Sequence, residues 1–407
     1  MTPLGIVADD FTGATDVAGL SVRRGGSSSV LIDQDAPGTT ATVAVRALKI
    51  RTAPRDEATR QAVAAARRFA DEGRRLYWKY CSTFDSTPDG NIGPVADALL
   101  DLAGARIAIH CPAFPENRRT VYKGHLFVGD QPLDESPMRD HPLTPMRDAS
   151  LVRLLAPQVR GEVGLVTLET IRAGGVDQAL GREIAAGRRH VAADAITDAD
   201  LDDLAAQCPG DVLLCGGSAF AARVAPTGTA KEPSMSLPDG PVLVLSGSCS
   251  SATQAQVAAW TGPRYDLLPI RLAEEGSGPA LDWMHDALAS GPALLSATAA
   301  PDMLRASQTA LGTARAAALV EDTLAALAVA ARNSGVRGIV LAGGETSGAV
   351  TTALGIRRLE IGREVAPGVP VCRAESGGRT LGLVLKSGNF GDTGFFADAI
   401  RALKGMA

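Results

Sequence analysis

Short apolar runs recur along the whole chain, each followed by small or polar residues and then by an amphipathic segment. Runs such as Leu4–Ala8 and Gly338–Ala342 are nearly continuous in apolar residues, which is typical of strands buried on both faces of a parallel sheet. Ala-rich segments between such runs, including Arg55–Gly73 and Thr309–Ser334, have the periodicity of helices. The pattern predicts an α/β fold in which largely parallel sheets are flanked by helices.

The chain has 407 residues, beyond the size at which one hydrophobic core usually keeps growing, so two domains are expected. Residues Ala221–Gly240 are rich in Pro, Gly, Thr and Ser and lack helical periodicity, which indicates a linker. We therefore predict an N-terminal domain at 1–235 and a C-terminal domain at 236–407. A second irregular segment, Gly129–Asp148, carries four prolines. Such a segment is often a lid, an arm or a contact between copies of a chain, which leaves a homodimer open.

Composition excludes several classes of function. The net charge of −5 provides no general attraction to nucleic acid or to an anionic membrane. No apolar stretch is long enough to span a bilayer, and Asp9 and Asp10 interrupt the N-terminus before a signal-peptide core could form. The six cysteines form no Cys-x-x-Cys pair, and the five histidines lack ligand spacing, so no protein metal site is predicted. A cytoplasmic protein with reduced thiols is expected.

Paired carboxylates follow the first predicted strand. Open parallel sheets bind ligands at the carboxyl ends of their strands, and there the sequence reads Ala8-Asp9-Asp10, followed by Thr12-Gly13 at a helix start. Two adjacent carboxylates suit proton abstraction, polyol hydroxyls or a metal-bound phosphate. The alternative is that Asp10 or Thr12 only caps the helix. For the pair we favour a functional role and predict Asp9 and Asp10 as catalytic residues.

The third and fourth apolar runs end in residues suited to a small polyhydroxy acid. Arg51 follows the third run, and a guanidinium matches a carboxylate through two parallel hydrogen bonds. The fourth run ends in an ammonium and is followed by hydroxyls and a carboxylate, supplied by Lys79, Ser82, Thr83 and Asp85. The alternatives are a surface ion pair for Arg51 and a turn that satisfies its own backbone.

Charged and polar residues also surround the fifth run. His110 and Cys111 point to opposite faces of a strand, which makes a nucleophile–base pair unsuitable and favours packing or orienting roles. Arg118, Arg119 and Lys123 follow and could add positive charge near a substrate, or could lie in a solvated loop.

The C-terminal half has three glycine-rich turns after apolar runs, at Ser246–Ser250, Gly343–Gly348 and Lys386–Gly391. Glycine permits close backbone approach, and free N–H groups at a helix start attract phosphate. One such turn could be a simple tight turn, but three favour a nucleotide site. The chain has no Gly-Lys dipeptide and therefore no P-loop, no G-x-G-x-x-G after a strand, no G-x-S-x-G elbow and no protein-kinase catalytic loop.

Three motifs together resemble the four-carbon acid sugar kinase family: Ile6–Asp16 (IVADDFTGATD), Gly343–Thr346 (GGET) and Lys386–Gly391 (KSGNFG). The likeness runs nearly end to end, and the segments Lys79–Pro88 and Cys111–Gly124, with His141–Met146, are similar to those of the 3-oxo-tetronate kinases. The resemblance implies an N-terminal domain that binds the acid sugar, a C-terminal domain that binds ATP with Mg²⁺, and an active site in the cleft between them. The implied reaction is phosphorylation of the 4-hydroxyl of 3-dehydro-erythronate or 3-dehydro-threonate.

The resemblance also assigns residues. It implies acid-sugar contacts at Asp9, Arg51, Cys81, Ser82, Thr83 and Phe84, beside the Lys79 and Asp85 predicted above. It implies ATP contacts at Ser248, Ser250, Gly343, Gly344, Glu345, Thr346, Gly388, Asn389, Phe390 and Gly391. Our hypothesis is that Arg51 and Lys79 hold the substrate carboxylate while Asp9 or Asp10 accepts the hydroxyl proton. Lys386 is a candidate for charge on the phosphoryl group, or is solvated.

Three alternatives remain open from the sequence. A D-threonate or erythronate kinase of the same family would use the same charged pocket. A nicotinamide-dependent sugar-acid oxidoreductase would share the α/β architecture, although the missing dinucleotide motif counts against it. A sugar-acid sensor without catalytic activity would bind the acid but would need an output module.

Overall fold

A computed structural model describes residues 2–33, 36, 38–141, 144–227, 235–299 and 301–405. These residues form two compact units, the first containing 2–33 and 38–227, and the second containing 235–299 and 301–405. The α/β prediction is confirmed for both. The domain bounds 1–235 and 236–407, and an active site in the cleft between the domains, stay predictions.

The first unit is built on a parallel sheet. Its strands are β1 (Leu4–Ala8), β2 (Ser28–Leu31), β3 (Val43–Ala47), β4 (Arg75–Lys79), β5 (Ala108–Cys111), β6 (Arg119–Tyr122), β7 (His125–Val128), β8 (Gln131–Pro132), β9 (Val163–Val166), β10 (His190–Ala193) and β11 (Leu213–Gly216). Its helices are α1 (Phe11–Arg23), α2 (Arg55–Asp71), α3 (Ile92–Ala103), α4 (Leu151–Leu155), α5 (Leu168–Arg172), α6 (Val176–Ala185), α7 (Asp198–Gln207) and α8 (Ser218–Val224). The parallel order is β2-β3-β1-β4-β11-β5-β10-β9, while β6, β7 and β8 form a small antiparallel sheet.

The central strand β1 explains where a site can form in this unit. All its residues are buried, as the apolar run requires. Ala8 is in register with Ala47 at the end of β3 and with Lys79 at the end of β4. The chain segments that follow these three strands therefore emerge side by side at one edge of the sheet.

The second unit contains the strands β12 (Val242–Ser246), β13 (Arg264–Asp266), β14 (Ala293–Ser296), β15 (Gly338–Ala342), β16 (Arg358–Ala366), β17 (Val369–Ser376) and β18 (Arg379–Lys386). Its helices are α9 (Ser251–Ala258), α10 (Pro269–Glu275), α11 (Gly278–Leu288), α12 (Pro301–Leu311), α13 (Thr313–Asn333), α14 (Gly344–Ala353) and α15 (Phe395–Leu403). The order is β13-β14-β12-β15-β18-β17-β16. Strands β12, β15 and β18 are parallel neighbours, and β16 and β17 pair antiparallel beyond them.

Two irregular segments differ from the expectation. Helix α8 continues to Val224, so the predicted linker Ala221–Gly240 begins with helix, and its residues 228–234 lie outside the described residues. The segment Gly129–Asp148 contains β8 and short 3-10 helices, and its residues 142 and 143 are likewise outside. Its use as a lid, an arm or a dimer contact stays a prediction. No helix in the described part of the chain is long and apolar enough to cross a membrane.

Candidate active site

The two adjacent carboxylates after β1 have different positions. Asp10 caps α1: its extended backbone (φ −144°, ψ 163°) lets Oδ1 accept a hydrogen bond from the N–H of Gly13 at 2.8 Å. The capping alternative is therefore real for Asp10, whose side chain stays 28% exposed. Asp9 is buried, and its backbone N–H donates to the carbonyl of Lys79 at 3.1 Å. Of the two carboxylates, Asp10 is the one within reach of a ligand.

Arg51 joins three carboxylates. Its Nε donates to Asp9 Oδ2 at 2.7 Å and its Nη2 to Asp9 Oδ1 at 3.0 Å, which is the bidentate geometry preferred by a guanidinium. Nη2 also lies 3.0 Å from Asp10 Oδ1, and Nη1 lies 3.9 Å from Asp85 Oδ2. The side chain of Asn91 holds the loop in place, because its Nδ2 donates to the carbonyl of Ile50 at 2.6 Å and to that of Arg51 at 3.3 Å.

The charge state of the Asp9–Arg51 pair follows from its geometry. Burial raises the pKa of Asp9, the carboxylate of Asp10 adds to the rise, and Arg51 opposes it. Burial would lower the pKa of Arg51, but Asp9, Cys81 and Asp10 together outweigh it, so that this pKa lies well above its ordinary value. Asp9 accepts two short hydrogen bonds from the permanently charged guanidinium of Arg51, and these favour its ionised form. Asp9 and Arg51 form an ion pair near neutral pH.

Lys79 reaches the same cluster from β4. Its side chain is 5% exposed, and its Nζ lies 4.0 Å from Asp10 Oδ1. Gly13 makes room for it, since a Cβ at that position would stand 2.0 Å from Nζ. The Gly in the Thr-Gly dipeptide after the paired carboxylates is therefore required by the close approach of an ammonium. The structure brings Asp9, Asp10, Arg51, Lys79 and Asp85 together, and their roles with a substrate stay predictions.

The Cys81–Asp85 turn completes the cluster. Thr83 Oγ1 donates to Asp85 Oδ1 at 2.6 Å and lies 3.0 Å from Cys81 Sγ. Burial, with a contribution from Asp85, raises the pKa of Cys81 to about 11, so the thiol is neutral at physiological pH. Ser82 is half-buried in the turn. Phe84 has a left-handed backbone (φ 59°) and a buried side chain, which gives it a packing role in this structure; its predicted contact with substrate stays a prediction.

Three glycine-containing loops converge in the second unit, after the neighbouring strands β12, β15 and β18. The N–H of Ser248 donates to the carbonyl of Ala342 at 3.1 Å, and the N–H of Gly343 donates to that of Lys386 at 2.9 Å. Gly343 adopts φ 128°, and a Cβ there would stand 3.3 Å from the nitrogen of Ser248. The first intrahelical bond of α14 runs from Ser347 to Gly343, so the N–H groups of residues 344–346 precede the helical ladder. Such a helix start attracts an anion.

Hydroxyl groups bind the first loop to the third. Ser250 Oγ donates to the carbonyl of Gly388 at 2.6 Å, and Thr253 Oγ1 donates to the same carbonyl at 2.8 Å. Gly388 packs so closely that a Cβ would stand 2.5 Å from Ser248 Oγ. Thr253 was not singled out from the sequence, although it follows the Ser-rich turn at a helical spacing that would have indicated a capping partner for Ser250.

Lys386 is a buried ammonium at the centre of these loops. Its Nζ donates to Thr253 Oγ1 at 2.9 Å, to the carbonyl of Gly388 at 2.9 Å and to that of Ser387 at 3.1 Å, which uses all its N–H groups. The residue is 1% exposed, and no carboxylate lies within 4 Å of Nζ among the described residues. Burial lowers the pKa of Lys386 to about 8. Lys386 therefore organises the loops, and the solvated alternative is wrong.

The end of the third loop turns away from this convergence point. Asn389 is exposed, whereas Phe390 packs against the hydrophobic core of the unit. Gly391 has φ 77°, and a Cβ there would meet the ring of Phe395 at 2.5 Å. Gln256 Nε2 donates to the carbonyls of residues 390, 391 and 392 at 3.0, 3.0 and 2.9 Å, an anchor that the sequence did not suggest. The assignment of ATP contacts to 389–391 stays a prediction.

Comparisons with known proteins match a different domain family to each half of the chain. A sugar-binding N-terminal domain family matches residues 4–224, and a nucleotide-binding C-terminal domain family matches residues 243–396. A 3-oxo-tetronate kinase of Burkholderia multivorans is 48% identical over 99% of this chain and 98% of its own length. One from Cupriavidus necator is 46% identical over 99% and 97%.

Solved structures show the same fold. A crystal structure of a Haemophilus influenzae protein has a TM-score of 0.84 and 36% sequence identity, covering 98% of this chain and all of that one. A crystal structure of a Salmonella typhimurium protein has a TM-score of 0.90 and 36% identity, covering 99% and 100%. With near-complete coverage, high identity and both domain families matched, the chain belongs to the four-carbon acid sugar kinase family, in the group of the 3-oxo-tetronate kinases.

Proposed function

We propose that this protein is a cytoplasmic kinase that transfers the γ-phosphoryl group of ATP to the 4-hydroxyl of a 3-oxo-tetronate. The observation that carries the proposal is the buried ammonium of Lys386 beneath three converging loops, with no carboxylate to balance it among the described residues. A buried charge without a partner is costly. A polyphosphate at the loops would supply the missing negative charge.

The loops of the second unit provide what a triphosphate needs. The N–H groups at the start of α14 (Gly344, Glu345 and Thr346) point out of the helix end, and the hydroxyls of Ser248 and Ser250 lie beside them. Lys386 would act from behind the loops, through their carbonyls and hydroxyls, since its own N–H groups are used.

Mg²⁺ fits this arrangement as a companion of the nucleotide. No group of three acidic, His or Cys side chains is arranged to hold a metal ion in the described ranges. Mg²⁺ typically keeps substrate phosphates, waters and only one or two carboxylates as ligands. When bound with the triphosphate, it would neutralise part of the phosphate charge, and Glu345 is the acidic residue within the Gly343–Gly348 loop.

The acid sugar would bind at the carboxyl edge of the first unit. The cluster there contains two cations, Arg51 and Lys79, and three carboxylates, so it has no surplus positive charge for a substrate carboxylate. Arg119 can supply it: the residue is half-buried next to the end of β5, its Nε–H has no acceptor, and no carboxylate partners it among the described residues. Of the three cations that follow β5, Arg118 is already paired with Asp130 at 3.0 Å.

The hydroxyl proton would go to Asp10. In the transfer, the 4-hydroxyl oxygen bonds to the γ-phosphorus while the bond to the bridging oxygen of ADP breaks, and the proton leaves the attacking oxygen. Each contact of Asp10 with its neighbours described above is made by Oδ1, which leaves Oδ2 for the substrate. Asp9 is buried and paired with Arg51, so its role would be to hold the guanidinium.

The test is an ADP-release assay with a panel of 3-oxo-tetronates, D-threonate and erythronate. Turnover is expected with a 3-oxo-tetronate, and Asp10→Asn should lower kcat about 100-fold while KM for ATP is unchanged, because Asn keeps an oxygen for the helix cap but cannot accept the proton. Asp9→Asn is the comparison: it removes the bidentate carboxylate partner of Arg51 and should lower the melting temperature more than Asp10→Asn does. The assignment fails if Asp10→Asn keeps wild-type kcat. Nicotinamide-dependent absorbance change without ADP release would instead indicate the oxidoreductase.

A further inference from the structure

A chain of hydrogen bonds crosses the first unit between its sheet and α3. Tyr80 Oη lies 3.1 Å from His110 Nδ1, His110 Nε2 lies 3.1 Å from His190 Nδ1, and His190 Nε2 lies 3.2 Å from Asp97 Oδ1. Tyr80 and His190 are 0% exposed and His110 is 1% exposed. At the far end, Asp97 accepts from the backbone N–H of Arg160 at 3.0 Å.

The order of these atoms fixes the direction of the hydrogen bonds. The pKa of Asp97 is lowered, because His190 and Arg160 outweigh the effect of its burial, so this carboxylate only accepts. His190 must then donate from Nε2 and, when neutral, accept at Nδ1. His110 must in turn donate from Nε2 and accept at Nδ1 from the hydroxyl of Tyr80. Burial, assisted by His190, lowers the pKa of His110 well below its ordinary value, in agreement with a neutral imidazole.

The donor end of the chain lies directly behind the Cys81–Asp85 turn. Tyr80 follows β4, and the ring of Phe84 meets its ring edge-on at 5.6 Å between centroids and 82° between planes. Burial raises the pKa of Tyr80 well above its ordinary value, with further contributions from Cys215, Cys111 and Asp9, so the hydroxyl keeps its proton and donates. A fixed Tyr80 ring therefore supports the strained backbone of Phe84 (φ 59°).

We propose that Tyr80, His110, His190 and Asp97 are positioning residues for the acid-sugar site. Asp97 sets the donor–acceptor direction of this hydrogen-bond chain. The hydrogen bonds in turn fix the side chain of Tyr80, which packs against Phe84 in the Cys81–Asp85 turn. The inference rests on the proposed function only in treating this turn as the acid-sugar site. The inference does not depend on which side chains contact the substrate.

The experiment compares Tyr80→Phe with Tyr77→Phe. Tyr77 lies on the same strand, is 0% exposed, and donates its own buried hydrogen bond to the carbonyl of Gly217 at 2.9 Å. Both variants lose one buried hydrogen bond, but only Tyr80→Phe breaks the chain. We expect Tyr80→Phe to raise KM for the acid sugar about fivefold, with KM for ATP unchanged. Equal KM values in the two variants would overturn the proposal.

Two further measurements need no substrate. The thiol of Cys81 reports the position of the turn, so its alkylation rate, assigned by peptide mass spectrometry, should rise about threefold in Tyr80→Phe but not in Tyr77→Phe. ¹⁵N NMR of labelled imidazoles should show His110 as a neutral Nε2–H tautomer at neutral pH. An Nδ1–H tautomer of His110, or an unchanged Cys81 rate in Tyr80→Phe, would refute the chain. If these arms succeed while no acid is phosphorylated, the proposed function is wrong and the positioning chain stands.

Discussion

Nucleotide binding by this protein should take up a proton near pH 8 and above, and Lys386 is the residue responsible. Burial lowers the pKa of this ammonium from 10.5 to about 8. A bound triphosphate would favour the charged form and raise the pKa again. Above pH 8 the nucleotide therefore binds a partly neutral lysine and must recharge it.

The magnitude follows from the shift in pKa. A shift from 10.5 to about 8 corresponds to a cost of about 3 kcal/mol for the charged form in the nucleotide-free protein. At pH 9 about one tenth of the molecules carry a charged Lys386, so Kd for ATP should be about tenfold higher than at pH 7 if only the charged form binds. ATP affinity falls as the pH rises, whereas the free energy of unfolding of the nucleotide-free protein increases. Between pH 8 and 10.5 the unfolded chain binds a proton that the folded chain has released, so the free energy of unfolding of the nucleotide-free protein rises across this window.

The assay is calorimetric titration of ATP with Mg²⁺ at several pH values, each in two buffers that differ in ionisation enthalpy. The difference between buffers counts the protons taken up, which should approach one at pH 9 in the wild type. Lys386→Met removes the titrating group and should abolish the proton uptake. The variant should also bind ATP about tenfold or more weakly at pH 7. Lys386→Arg keeps a charge that does not titrate, so its affinity, whatever its absolute value, should not change between pH 7 and 9.

Two results would refute this reasoning. One is a wild-type Kd that is constant from pH 7 to 9 without proton uptake, since the ammonium would then not sense the nucleotide. The other is Lys386→Met with wild-type affinity and an intact melting temperature, because the buried charge would then have no part in organising the loops. Thermal unfolding of the nucleotide-free proteins over the same pH range separates loss of affinity from loss of the fold.

Two substitutions in the first unit give further tests. Gly13→Ala should raise KM for the acid sugar about tenfold without changing KM for ATP, because the new Cβ would stand 2.0 Å from Lys79 Nζ. The control is Gly181→Ala, a helix position where a Cβ meets nothing within 4 Å. The prediction is wrong if the two variants have the same steady-state kinetics. Arg119→Gln should weaken binding of the acid sugar about tenfold or more in a calorimetric titration, since it removes a guanidinium whose Nε–H has no acceptor and which has no carboxylate partner among the described residues. Arg118→Gln is the matched control with wild-type affinity expected, and equal losses in both variants would count against Arg119 as the carboxylate ligand.

Much of the architecture could be predicted because it depends on local pattern. Continuous apolar runs such as β1 predicted a doubly covered parallel sheet, and the rule that ligands bind at strand ends selected Asp9, Asp10 and Arg51. The strands β16 and β17 were missed, since charged residues interrupt both and their burial depends on neighbours far away in the sequence. The bounds of such elements follow from pairing, which a local window does not contain.

The details of the site required the tertiary structure. The sequence hypothesis was that Arg51 binds the substrate carboxylate. In the structure the backbone N–H of Arg51 donates to the carbonyl of Asp9 at 3.2 Å, and the two side chains form a bidentate pair. Lys386 was expected either on the phosphoryl group or in solvent, and it lies beneath the loops because β12, β15 and β18 are adjacent. Asn91 and Gln256 hold loops through backbone carbonyls, and no sequence motif marks such anchors.

By itself, the sequence determined an α/β protein of two domains, the family to which it belongs, and the strand ends where a site is proposed. These features follow from the periodicity of burial and from short motifs, which are properties of consecutive residues. Only the tertiary structure decided which charges neutralise each other and which stay available, and that Tyr80, His110, His190 and Asp97 form one hydrogen-bond chain. The physical reason is strand order: β4, β11, β5 and β10 bring together residues that are up to 93 positions apart, and a hydrogen bond depends on distance in space.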